Sequence, residues 1–103
     1  MRTHTLLVAS ICLWPFLLRA DDSPAGKVVF AQCSGCHGTQ AGEKKVGPTL
    51  HGLFHRKQMV NKKKPTQENV LGLINHGANG MPGYDKTLTS KQKGDLVAYL
   101  KTL

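Results

Sequence analysis

Apolar residues of this 103-residue chain are grouped into stretches that polar, glycine-rich and lysine-rich segments separate. Two of these stretches, near residues 70 and 97, repeat apolar positions at the i, i+3, i+4 spacing of an amphipathic helix. No stretch alternates apolar and polar residues as a half-buried strand does. The pattern therefore predicts an all-α protein with long loops.

A first helix is predicted over residues 25–32, which include two valines and a phenylalanine. Ser23 can cap this helix, Pro24 suits its first turn, and the acidic pair before them favours the positive helix end. Gly26 is costly in a helix interior. It either lies harmlessly in the first turn or permits a close approach between two helices.

Two further helices are predicted towards the C-terminus. Thr66 caps the second, which covers Gln67–His76 and ends at Gly77, and the third begins near Thr89 or Ser90. Their apolar faces consist of Val70, Leu71, Leu73 and Ile74 in the second helix, and of Leu96, Val97, Leu100 and Leu103 beside Tyr99 in the third.

The segments between the predicted helices differ in character. Residues 38–45 are polar and glycine-rich, which predicts a surface loop. Residues 46–54 are apolar without a regular period, so we expect them to be buried without forming a regular element. Residues 62–65 are three lysines and a proline, typical of a charged loop, and residues 78–83 are too rich in glycine and proline for a helix or strand.

The N-terminal segment has the layout of a secretion signal. Arg2 precedes the apolar run of residues 6–18, and Ala20 offers a small residue for cleavage. The run is shorter than the roughly 20 apolar residues that span a bilayer. We therefore predict a cleaved signal peptide over residues 1–20 and export to the periplasm. A lipoprotein acylated at Cys12 and an uncleaved anchor are the alternatives.

Residues 21–103 are then expected to form one domain. They keep 12 of the 14 basic residues against all 6 acidic ones, a net charge of about +6. Such charge suits nucleic acid or an acidic protein surface, and the export signal argues against nucleic acid. A domain of this size has a small core and is often marginal without a disulfide, metal or cofactor.

Cys33, Cys36 and His37 form a C-x-x-C-H motif. The two thiols lie on one side of a helical turn and can add to the vinyl groups of a haem, while the imidazole can bind its iron. A thioredoxin-like redox pair would need a βαβ context, and half a zinc site would need a second Cys/His pair, which the scattered His51 and His55 do not supply. The motif predicts one covalently bound haem c and an apo-protein that is largely unfolded.

Met81 is the predicted second ligand of the haem iron. A thioether is a soft neutral ligand that suits haem iron, and a core methionine would gain little in this loop of glycine, asparagine and proline. Met59, His51 and His55 are the alternative ligands. Iron bound by two protein ligands has no vacant position for a substrate, which favours electron transfer over catalysis.

The chain resembles class I c-type cytochromes over nearly all of residues 21–103. The haem motif, residues 46–54, Gly80-Met81-Pro82 and residues 95–100 carry the resemblance, together with Gly26 and Phe30. It implies the small cytochrome c fold, with three to five helices and long loops wrapped around one haem.

The resemblance also implies roles for individual side chains. Gly26 and Phe30 are expected to meet Leu96 and Tyr99 where the first and last helices cross. Pro48 would hold the ring of His37 through its carbonyl, and Arg56 would approach a haem propionate. The expected haem environment comprises Pro48, Leu50, Phe54, Arg56 and Pro82.

The expected function is that of a periplasmic one-electron carrier in a respiratory or dehydrogenase chain, and not an enzyme. A haem subunit of a periplasmic dehydrogenase is the main alternative, followed by a five-coordinate haem enzyme or gas sensor. Redox proteins with acidic docking surfaces are the expected partners, with no stable membrane anchor once the signal is cleaved. The lysines expected to dock them are Lys27, Lys44, Lys45, Lys57, Lys62, Lys63, Lys64 and Lys86.

Overall fold

The computed structural model describes residues 21–103, so the predicted signal peptide lies outside the described residues. The helices are α1 (Ser23–Phe30), a short 3-10 helix (Leu53–His55), α2 (Gln67–His76) and α3 (Ser90–Leu100). Within this part of the chain there is no strand, and the all-α prediction is confirmed. No helix in residues 21–103 has the length and apolar character needed to cross a bilayer.

Polar side chains cap all three α-helices. Asp22, and not Ser23, caps α1, because its extended backbone brings the carboxylate to a backbone N–H of the first turn at 3.2 Å. The predicted Ser23 cap was therefore wrong, since Ser23 is already helical. Thr66 and Thr89 cap α2 and α3 as predicted, and the Gln92 side chain completes a capping box at Thr89.

The crossing of α1 and α3 is the main helix–helix contact of the described residues. A Cβ on Gly26 would overlap the backbone carbonyl of Asp95, so the two helix backbones touch at this point. The rings of Phe30 and Tyr99 pack beside it, with centroids 5.3 Å apart. The structure thus assigns Gly26 to close helix contact. The buried apolar core consists of Val29, Phe30, Leu53, Met59, Val70, Ile74, Leu88, Leu96, Val97 and Leu100.

Asp95 links the N-terminus of α1 to α3. Asp95 is only 5% exposed, and its carboxylate accepts the backbone N–H of Asp22 at 2.7 Å as well as a hydrogen bond from the Lys91 ammonium. The Lys91 hydrogen bond first, and then the bond from the Asp22 backbone, hold the pKa of Asp95 below its usual range. A buried carboxylate with two donors therefore fixes the helix crossing.

The loop of residues 38–45 lies at the surface, as expected, and hydrogen bonds to the Glu43 side chain stabilise it. The Glu43 carboxylate accepts the backbone N–H groups of Thr39 and Gln40 at 3.0 and 3.2 Å. Residues 46–54 were expected to be buried, and this is only partly so: Leu53 belongs to the core, whereas Val46 is 91% exposed.

Candidate functional site

A cavity of about 360 Å³ opens between the C-x-x-C-H turn, the loop that follows it, α2 and α3. Cys33, Cys36, His37 and Met81 all line it. Most of the remaining wall is apolar and includes Phe30, Leu50, Leu73, Ile74, Leu96 and Leu100. A mainly apolar cavity with a few convergent polar groups is typical of a cofactor site.

The end of α1 continues directly into the cysteine turn. Cys33 donates its backbone N–H to Phe30 O at 2.7 Å, and His37 donates to Cys33 O at 2.9 Å. Both thiols are free, and burial raises the pKa of the half-buried Cys33 thiol. The turn therefore presents two unpaired thiols and one imidazole to the same cavity.

His37 is oriented by the loop that passes beside it. Its Nδ1 lies 2.7 Å from the carbonyl oxygen of Pro48. Because a carbonyl can only accept, Nδ1 carries the proton and Nε2 is left with a free lone pair. A Cβ on Gly47 would lie 2.6 Å from the ring carbon Cε1, so only glycine lets the backbone pass this close. The ring is thus fixed in the tautomer that can bind a metal through Nε2.

Arg56 holds the same loop from its other side. One terminal nitrogen, Nη2, donates to the carbonyls of Thr49 and His51, both at 2.7 Å. The residue also lines the cavity. From the sequence, this guanidinium is expected at a haem propionate. In the structure it also stabilises the loop segment that contains Pro48.

Met81 is presented by a tight turn. Its N–H donates to Ala78 O at 2.9 Å, and the two central residues, Asn79 and Gly80, have φ values of 49° and 89°. A Cβ on Gly77, whose φ is 64°, would overlap the Met81 carbonyl. The backbone therefore packs tightly against the end of α2 just where the methionine enters the cavity.

The segment after Met81 is tied to two helices. Tyr84 and Asp85 donate their N–H groups to the carbonyls of Ile74 and Asn75 in the last turn of α2, at 2.7 and 3.2 Å. Lys93 of α3 donates to the Asp85 carbonyl at 3.1 Å and lies 3.2 Å from its carboxylate. Backbone hydrogen bonds thus hold the chain at Met81 itself and shortly after it.

The structure brings most of the predicted site residues together. Pro48, Leu50, Arg56 and Pro82 line the cavity with the cysteines, His37 and Met81. Phe54 does not: it packs against the core, and its ring centroid lies 5.7 Å from the Lys101 ammonium. Three wall residues, Val60, Asn61 and Tyr84, were not among the predicted site residues, whereas Val46 belongs to the apolar segment 46–54 that was expected to be buried.

Of the alternative iron ligands, only Met59 reaches the cavity. It is 6% exposed and belongs to the buried core, whereas His51 and His55 are exposed and do not line the wall. No periodic pattern in the sequence predicts that Met59 is buried, because Met59 follows a basic stretch and precedes three lysines.

The sequence profile of the family described as cytochrome C oxidase, cbb3-type, subunit III matches residues 20–100 of the chain. The chain belongs to the class I c-type cytochromes. Within this family the cofactor is one covalently bound haem c. The cavity of this cytochrome fits that group, because it joins two free thiols, an imidazole with a free Nε2 and a thioether within apolar walls.

Two curated relatives match parts of this cytochrome. It is 53% identical to cytochrome c2 of Blastochloris viridis over 38 residues, which are 36% of this chain and 30% of the relative. It is 32% identical to cytochrome c of Arabidopsis thaliana over 78 residues, which are 75% of this chain and 52% of the relative. The cytochrome therefore spans about half or less of the length of the relatives it matches.

A solved structure matches the whole fold. Cytochrome c6 of the diatom Phaeodactylum tricornutum superposes with a TM-score of 0.61 at 26% identity, covering 79% of this chain and 92% of the diatom protein. The likeness confirms the prediction of a small all-α cytochrome c fold.

Proposed function

We propose that this cytochrome is a one-electron carrier that holds haem c through Cys33 and Cys36, with His37 and Met81 as the axial ligands. One observation carries the proposal: all four side chains line a single cavity, and His37 is held there in the metal-binding tautomer by Pro48. When bound, the haem iron takes up and releases one electron between its ferric and ferrous states.

The residues around the cavity serve this role by orienting ligands and excluding water. Pro48 and Gly47 fix the His37 ring, and the hydrogen-bonded Met81 turn keeps the thioether at the cavity. With His37 and Met81 both bound to the iron, no coordination position would be open for substrate chemistry. The family membership agrees with an electron-transfer protein that is not an enzyme.

The location and the partners are part of the proposal. We infer export to the periplasm, directed by a cleaved signal over residues 1–20, and a carrier domain formed by residues 21–103. Its partners would be redox proteins of a respiratory or dehydrogenase chain with acidic docking surfaces, which the net positive charge of the chain favours.

A haem subunit of a larger redox complex is the second candidate. The matching family is that of subunit III of cbb3-type cytochrome c oxidase, which favours this alternative. A dedicated subunit would elute with its complex in gel filtration of a mild extract of the native source. A free carrier would elute at the size of a small monomer or dimer.

Visible absorption spectra of the oxidised and reduced holo-protein test the site. His37 and Met81 ligation predicts a low-spin spectrum, a methionine-sulfur charge-transfer band in the ferric form and no rapid binding of carbon monoxide. Met81→Ala should abolish that band and lower the reduction potential, whereas Met59→Leu should leave the band in place. If Met59→Leu abolished the band and Met81→Ala left it in place, Met59 would be the iron ligand. A high-spin spectrum would contradict the proposal of an electron carrier.

A further inference from the structure

The stretch from Met81 to Leu88, which we call the methionine segment, is lightly packed for a part of the chain that carries a proposed metal ligand. After Met81, only Leu88 is buried in this segment, while Pro82, Gly83 and residues 85–87 are exposed. Parts of a fold with few buried side chains open locally at a low cost in free energy. The contacts that hold this segment therefore decide how firmly Met81 stays at the cavity.

Backbone hydrogen bonds attach the methionine segment to the end of α2. Tyr84 and Asp85 donate their N–H groups to the carbonyls of Ile74 and Asn75. A Cβ on Gly83 would lie 2.5 Å from the Asn75 carbonyl oxygen, so the two backbones are also in close contact. Within residues 21–103, no backbone hydrogen bond joins the segment to α3. The connection to α3 therefore depends on side chains.

Lys93 of α3 supplies that connection. Its ammonium donates to the Asp85 carbonyl at 3.1 Å and to the Asp85 carboxylate at 3.2 Å. These are the only side-chain hydrogen bonds of the methionine segment in the part of the chain that the structure describes. Only 13% of the Lys93 side chain is exposed, against 60% of the Asp85 side chain. The lysine is therefore packed into the fold, and its charge meets the segment at one residue.

The burial of Lys93 makes this contact resist opening. A largely buried ammonium costs free energy unless acceptors replace the water that it has lost. Both acceptors belong to Asp85, so Lys93 loses both hydrogen bonds together when the segment moves away from α3. Lys93 does not line the cavity. It can act on Met81 only through the segment.

We propose that the contact between Lys93 and Asp85 is a latch that limits how often Met81 leaves the haem iron. Lys93 is then a positioning residue for the thioether ligand. The inference rests on the proposed function, because it takes Met81 as the axial ligand, and it adds what keeps that ligand in place. Since the Asp85 carboxylate is mostly exposed, salt screens part of the contact and the latch responds to ionic strength.

Lys91 offers a matched comparison on the same helix. Its ammonium hydrogen-bonds the Asp95 carboxylate at the crossing of α1 and α3, away from the methionine segment. Lys91→Gln and Lys93→Gln each remove one positive charge. Loss of the Lys91 ammonium leaves the buried Asp95 with one donor fewer, which lowers the stability of the whole fold. Loss of the Lys93 ammonium leaves an exposed carboxylate that water can solvate.

Binding of imidazole to the ferric holo-protein measures how often Met81 opens. Neutral imidazole takes the axial position only after the thioether has left it, so at high imidazole the observed rate levels off at the opening rate. We expect Lys93→Gln to raise this limiting rate about five-fold and Lys91→Gln to change it less than about two-fold. In urea unfolding the order should reverse, with the larger loss of stability in Lys91→Gln. A parent-like limiting rate in Lys93→Gln, or an equal rise in both variants, would overturn the latch.

A double-mutant cycle tests whether the two residues act through one contact. Asp85→Ala should raise the limiting rate by itself, but less than about two-fold when it is added to Lys93→Gln. Fully additive effects would show that the residues act separately and would overturn the proposal.

Salt tests the same contact in the parent protein, which avoids any variant that folds poorly. At about 1 M salt, where the screening length falls to roughly 3 Å, the limiting rate of the parent should approach that of Lys93→Gln, whose own rate should change little. A parent rate that does not respond to salt would overturn the ionic part of the latch. Failure of the carrier proposal is distinct, because the parent protein would then lack the methionine charge-transfer band.

Discussion

Gly26 of α1 lies so close to the backbone carbonyl of Asp95 in α3 that no residue larger than glycine fits at this position. Tyr99, one turn further along α3, lies on the other side of the contact, and its ring packs against Phe30 with the ring planes tilted by 55°. The contact fixes the end of α1, and the cysteine turn follows that end directly. The geometry of the cavity therefore depends on this helix crossing, and Phe30 at the crossing also lines the cavity wall.

Gly26→Ala is expected to destabilise the holo-protein by about 3 kcal/mol or more, because the methyl group forces the helices apart. Gly72→Ala is the matched control, since a Cβ there meets nothing within 4 Å on the α2 helix. Ala should raise stability at that position by up to about 1 kcal/mol through helix propensity. Urea unfolding of both variants measures the two effects, and similar free energies of unfolding would contradict the tight crossing.

Asp95 is expected to make stability depend on acid pH. Its pKa is lowered in the folded protein, so its contribution is fully present above the unfolded-state pKa of about 3.9 and is lost as the pH falls through the lower folded-state value. Asp95→Asn should therefore be less stable than the parent protein at pH 6, and the gap should shrink as the pH approaches 3. Thermal melts across this range measure the gap. A difference that does not vary with pH would assign the effect to packing alone.

Gly77→Ala is expected to disturb the Met81 turn. Alanine would need a left-handed φ and its Cβ would overlap the Met81 carbonyl, so both strain and displacement follow. Gly80→Ala is the control: it has the same kind of strain, at about 1–2 kcal/mol, but open space around the Cβ. Imidazole should bind the ferric Gly77→Ala protein faster than the Gly80→Ala protein, since it must displace the methionine. Equal rates would show that the Gly77 contact does not hold the turn.

Loss of covalent haem is expected to unfold most of the domain. The cavity occupies the centre of the small core, and several core residues line it, including Phe30, Leu53, Met59 and Val70. Without a group to fill the cavity, these side chains lose their packing partners. Far-UV circular dichroism of Cys33→Ala/Cys36→Ala measures the outcome. A cooperative melt like that of the holo-protein would contradict the expectation.

Features that depend only on residues close together in the chain could be predicted from the sequence alone. The C-x-x-C-H motif, the two threonine caps and the apolar faces of α2 and α3 depend on spacings of a few residues, which are visible in the chain. The Pro48 contact with His37 was also expected, because the resemblance to class I c-type cytochromes implies it. The cap of α1 was predicted at Ser23 and lies at Asp22. Both residue types are good caps, and the backbone conformation decides which of them caps the helix.

Tertiary structure decided what depends on residues far apart in the chain. It placed Gly26 against Asp95, buried Met59, removed Phe54 from the cavity wall and turned Val46 and Val60 outward at its mouth. Apart from Gly26 and Asp95, none of these positions lies in an α-helix, so no helical or strand period separates a buried side chain from an exposed one there. Their environment is set when the loops close on α2 and α3, because burial is a property of the packed chain and not of its local spacing.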